Sequence, residues 1–108
     1  MTIREMIQTT LSLLADVGVG DYAVEVLDKV TKGSEERLAA CDISNKRILL
    51  SAKLSDDDRF MKIARHEVAH ALSAHEEEEH GPDFHLALEI VPERPTRMDR
   101  EFRIELAE

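Results

Sequence analysis

Two histidines four residues apart, with a glutamate directly after the first, constrain this chain more than any other feature: His66-Glu67-Val68-Ala69-His70. Successive helix residues are rotated by about 100°, so positions i and i+4 differ by only about 40° and both imidazoles leave from one face. The pattern predicts a helix, and it predicts that this face stays outside the core. Two ring nitrogens at that spacing suit a single cation, and a carboxylate beside them suits removal of a proton from an attacking water. Zinc (Zn2+) held by His66 and His70, with Glu67 as general base, is the chemistry implied.

The surrounding residues supply the rest of that helix. Ser55, followed by Asp56, Asp57 and Asp58, predicts its start, with a capping hydroxyl and negative charge against the positive end. With Phe60 as the zero of azimuth, Ala64, Val68, Ala71 and Leu72 fall within roughly 120° on one side, whereas His66 and His70 point to about 240° and 280°. Apolar stripe and histidine stripe are therefore different faces.

Upstream, Ile3, Met6, Ile7, Leu11, Leu14 and Val17 recur at three- and four-residue steps behind a Thr2/Glu5 capping box, which predicts an amphipathic helix ending near residues 16–20. Tyr22, Val24, Val26 and Val30 on alternate positions predict a strand from Tyr22 to Val30, although Val26 and Val30 also suit one helical face; Arg37 to Ile43 is a second strand candidate and Arg47 to Lys53 a third. Turns fall at Lys32-Gly33-Ser34-Glu35 and Ser44-Asn45-Lys46. Downstream, Glu76 to Glu79 reads as a solvated loop. Gly81-Pro82 then opens another helix, with Phe84, Ala87, Leu88 and Val91 inward and Pro92 as its stop. Phe102, Ile104 and Leu106 alternate with charged residues, as in a short strand or docked arm.

A chain of 108 residues is expected to form one domain, residues 1–108. Its formal charge of -9 argues against direct binding of a nucleic-acid backbone, which needs a basic face. Cys41 is the single cysteine, so there is no intrachain disulfide and no cysteine-rich zinc knuckle. Neither a secretory leader nor an apolar run long enough to span a bilayer is read in it, so a cytoplasmic protein without membrane association is expected.

A catalytic zinc takes three protein ligands and leaves a fourth position open. On a continued helix His75 points about 180° from His66, away from the metal. Glu76 sits where a related zinc-protease pattern has a third histidine, but Ser73 replaces the glycine with which that pattern turns. His80 is the preferred third ligand, because His80-Gly81-Pro82 is a turn at a helix start that can carry one side chain back over the motif. Glu89, with the spacing of a glutamate on the following helix, and His85 remain alternatives.

The run His66-Glu67-Val68-Ala69-His70-Ala71-Leu72, an acidic loop, and then His80-Gly81-Pro82-Asp83-Phe84 resembles the active-site segment of the SprT-like zinc metallopeptidases, written H-E-x-x-H, variable loop, H-G-P-x-F. The resemblance covers roughly residues 36–91 if Ile48-Leu49-Leu50-Ser51 is taken as that family's edge strand. It implies metal ligation by His66, His70 and His80 and a general base at Glu67. The zinc ribbon and basic DNA-binding parts of members acting on DNA-crosslinked proteins have no counterpart here.

The expectation is thus a small α+β, zincin-like domain: an N-terminal helix, a three-stranded sheet, an active-site helix and a shorter helix after H-G-P. Its expected activity is zinc-dependent hydrolysis of a peptide or protein substrate by metal-activated water. The rival readings are a metal-dependent hydrolase of RNA, which the charge disfavours, and a non-catalytic zinc-binding interaction module. Tyr22 and Arg97 are conceivable oxyanion donors that no spacing places in the cleft. Cys41 reads as a small buried hydrophobe.

Overall fold

The computed structural model describes residues 1–75 and 80–95. Helix α1, Ile3–Asp16, begins with the capping box its sequence predicts: Thr2 Oγ1 accepts from Glu5 N and Glu5 Oε1 accepts from Thr2 N, both at 3.0 Å. It ends at Val17, where Gly18 takes up the left-handed region at φ +80°. Met6, Leu13 and Leu14 on its inner face are wholly buried.

Strand β1, Ala23–Leu27, stops short of the expected Val30. Its parallel partner β5, Arg47–Ser51, ends at the Leu27–Ser51 pairing, so the chain has no ladder to continue along. Val30 instead opens β2, Val30–Lys32, which pairs antiparallel with β3, Glu35–Arg37, across a two-residue loop with Gly33 at φ +65°. The expected strand from Arg37 to Ile43 accordingly divides, its second part being β4, Ala39–Asp42. The principal sheet has the order β1-β5-β4, with β4 antiparallel to β5.

That order corrects one expectation directly. Ile48 to Ser51 is the central strand, with both ladders used, and is no edge; the edge next to the histidine-bearing helix is β4. Ile48 and Leu50 are wholly buried in the hydrophobic core, and Leu49, on the opposite face of the strand, is half-buried.

The sheet also ends earlier than Lys53. Ser51 Oγ accepts from Lys53 N at 3.2 Å and starts a 3₁₀ turn, Ala52–Asp56. Ser55 is therefore inside a turn and caps nothing. Helix α2, Phe60–Leu72, starts from Arg59 without a side-chain cap, and the chain ahead of it is fixed by Asp57 Oδ1, which accepts from Arg59 N at 2.9 Å. Phe60, Ala64, Val68 and Ala71 face the core, joined by Ala69. Helix α3, Pro82–Ile90, has Pro82 in its first turn and buries Phe84 and Ala87, with Val91 beyond its end, as expected.

The described part is a small α+β fold in which α2 packs on both α3 and β4. None of its helices is long and apolar enough to cross a membrane. Glu76 to Glu79, Arg97, Phe102, Ile104 and Leu106 lie outside the described residues.

Candidate metal centre

The centre forms where α2 and the start of α3 meet. His66 and His70 lie one turn apart on α2, and their Nε2 atoms are 3.2 Å apart. His80, directly before the turn into α3, brings its Nε2 to 3.2 Å from that of His70. All three ligand atoms lie within 4.8 Å of one another. His66 and His70 are half-buried and His80 is exposed, so the cluster opens to solvent on one side.

Local chemistry explains the return of the chain. Ser73 closes α2: its N–H and its Oγ both reach Ala69 O, at 3.0 and 2.8 Å. His75 Nε2 lies 2.9 Å from Asp83 Oδ2, joining the chain just after α2 to the first turn of α3. At the other end of α3, Arg65 donates through one terminal nitrogen to Leu88 O at 3.1 Å and Val91 O at 3.0 Å. These carbonyls belong to the last turn, where a helix has unused acceptors. Two polar ties therefore hold α3 against α2, one at each end of α3.

Phe84 forms the apolar back of the centre. Its ring centroid is 5.0 Å from that of His66, 4.6 Å from His70 and 4.8 Å from His80, and the side chain is buried. One aromatic ring thus limits the tilt of all three imidazoles. By sequence Phe84 was expected only to fill the core; its position four residues after His80 is the signal that it stands behind that ligand.

The three ring nitrogens lie close enough together to hold one metal ion. Zinc–nitrogen bonds of about 2.0–2.1 Å separate two ligand nitrogens by about 3.3 Å, close to the two short spacings found. Without a cation, His70 Nε2 has either one proton or one lone pair to set against two neighbouring nitrogens. A single ion meets all three lone pairs at once. Among the described residues, His85 and Glu89 are not part of the cluster, and both are exposed on α3. His75 is exposed and engaged by Asp83.

Glu67 is buried, at 8% exposure, and with His66 lines a cleft of about 290 Å³ whose other walls are Arg59, Lys62 and Ile63. The carboxylate sits where a ligand entering the cleft meets it beside the metal-binding face. Cys41, on the edge strand β4, senses the same group: burial first, then the charges of Glu67 and Asp42, push its thiol up to about 12. A thiol so held is neutral near pH 7 and is no nucleophile. Tyr22 is packed in the hydrophobic core and does not line the cleft.

Set against models of known families, characterised proteins and solved structures, the chain matches none. The site's own geometry is therefore what bears on function.

Proposed function

We propose that this chain is a zinc-dependent metallopeptidase with a zincin-like arrangement of motif helix and edge strand, related in its motifs to the SprT-like enzymes. The observation that carries the proposal is the meeting of the His66, His70 and His80 ring nitrogens beside a buried glutamate of the same helix. Zinc held there supplies Lewis acidity toward both a peptide carbonyl and a water molecule.

The remaining work belongs to the chain. Glu67, ionised, takes a proton from the attacking water as the carbon–oxygen bond forms, then delivers it to the departing amine as the carbon–nitrogen bond breaks. The acid so formed passes the second proton of the attacking water to the amine, so the products are a carboxylate and an ammonium group, and Glu67 returns to its starting state. On the side away from β5, strand β4 pairs with no other strand among the described residues, and it packs on α2. An extended peptide adding to that edge runs alongside the motif helix, with main-chain hydrogen bonds supplying sequence-independent affinity.

The test is incubation of the zinc-loaded chain with casein, with RNA, and with neither. Cleavage of casein and not RNA, lost in Glu67→Gln while zinc stays bound, is the expected result. Cleavage of RNA identifies the rival hydrolase, and inactivity on both substrates leaves a non-catalytic binding module.

A further inference from the structure

We propose that Lys62, with Arg59 beside it, makes the cleft next to Glu67 a carboxylate subsite, so that the preferred substrate carries an acidic side chain or a free C-terminal carboxylate near the bond that is cut. This inference rests on the peptidase reading and names its substrate class.

Arg59, Lys62, Ile63, His66 and Glu67 line one cleft, and their spacing of three, one, three and one residues marks a single face along α2. The cleft is thus graded, with cations at one end and the general base at the other. In a chain with 23 acidic against 14 basic side chains, cations are readily neutralised. Arg37, Lys46, Arg47 and Lys53 all have a carboxylate within 3.2 Å. Arg59 is held by Asp57 at 2.8 Å. Lys62 is exposed and, among the described residues, has neither a hydrogen bond nor an ion pair, although it stands at a cleft able to admit a ligand.

Distance along the helix sets the register. Lys62 and Glu67 are separated by about 7.5 Å of helix rise, which matches about two residues of an extended peptide. A substrate carboxylate avoids the charge of Glu67 and seats at the Lys62 end, while the half-buried Ile63 between them meets its aliphatic stem. The net charge of -9 does not overrule this preference. At physiological ionic strength charges beyond about 8 Å are largely screened, so the nearest cations decide.

The test uses zinc-loaded full-length chain and labelled peptides of one sequence carrying Glu, Gln or Lys at each position within three of the cleavage site, in amidated and free-acid forms. Binding by fluorescence anisotropy and cleavage are read from the same samples. Glu peptides are expected to surpass Gln peptides by about fivefold in affinity, the size of one exposed ion pair. Lys62→Ala closes that gap, and Lys62→Glu turns the preference toward Lys peptides. A gain confined to free-acid peptides assigns the subsite to the chain terminus; a gain that amidation leaves intact assigns it to an acidic side chain. Equal handling of Glu, Gln and Lys peptides, or a Glu preference that survives Lys62→Glu, overturns the inference. If no peptide is cut, the peptidase reading fails, and the anisotropy arm still decides whether carboxylates seat at Lys62.

Discussion

His80 Nε2 lies 3.2 Å from His70 Nε2, although one residue precedes α3 and the other stands in the last turn of α2. The pairing depends on α3 being held at a fixed distance from α2, and it separates the three histidines by what each needs. His66 and His70 are placed by one helix alone, whereas His80 is placed by tertiary structure.

Removal of His66 or His70 by alanine is expected to abolish zinc binding at micromolar metal, since two ligands then remain. His80→Ala is expected to weaken it strongly while leaving helix content unchanged. Glu67→Gln keeps zinc and loses turnover. Zinc titration by calorimetry, beside far-ultraviolet circular dichroism, checks all four variants. Tight binding that survives His80→Ala would exclude that residue from the ligand set.

Phe84 is in ring contact with all three imidazoles, so its substitution separates packing from ligand positioning. Phe84→Ala is expected to cost about 3–5 kcal/mol of stability through the cavity it leaves. Phe84→Leu keeps most of the apolar volume and is expected to fold, yet to lose zinc affinity by about tenfold, the lower end of effects seen for groups that orient metal ligands. Chemical denaturation of the apo form gives the first quantity and a chelator competition the second. Unchanged affinity in a folded Phe84→Leu protein would make the ring mere filling.

Arg65 ties α2 to the last turn of α3 through Leu88 O and Val91 O. Arg65→Met keeps the stem and removes both bonds. A loss of roughly 1–3 kcal/mol is expected for carbonyls left without their charged donor. Hydrogen exchange should quicken in α3 and not in α1, and uniform protection across both helices would show that the tie contributes nothing.

Two titrations follow from local surroundings, one from charge and one from burial. Asp57 is held down to about 2, first by its side-chain bonds to Arg59 and then by the Arg59 backbone N–H. A lowered carboxylate stabilises the fold above its ordinary value of 3.8, and that contribution disappears as pH falls toward about 2. A carbon-detected NMR titration of Asp57 should find its midpoint near 2; a midpoint near 3.8 would remove the pair. Cys41, pushed up to about 12 chiefly by burial, should resist alkylation at pH 8 in the folded protein and react once unfolded. Rapid labelling of the folded form would contradict its burial beside Glu67.

Much of the site was legible because its signals are local. A capping box, a histidine pair at helical spacing and a Gly-Pro helix start each act within one turn of chain, and α1, α2 and α3 appear where those signals stand. The three predicted strands contain the three members of the principal sheet. What remained hidden is the pairing. Ile48 to Ser51 reads as an edge only through the family resemblance, and the parallel partner β1, brought in from more than twenty residues upstream, makes it central. The small β2–β3 hairpin was absorbed into its neighbours for the same reason, since three-residue strands carry too little pattern to announce themselves. Ser55 reads as a helix cap because its hydroxyl precedes three aspartates, but the 3₁₀ turn capped by Ser51 takes it up before α2 begins.

The most direct test of the central claim is a crystal structure of the zinc-soaked protein with data collected at the zinc absorption edge. An anomalous peak within bonding distance of Nε2 of His66, His70 and His80, with Glu67 beside it and outside the ligand set, is the predicted result. A peak bound instead by His85 or Glu89, or no peak between the two helices, would contradict it.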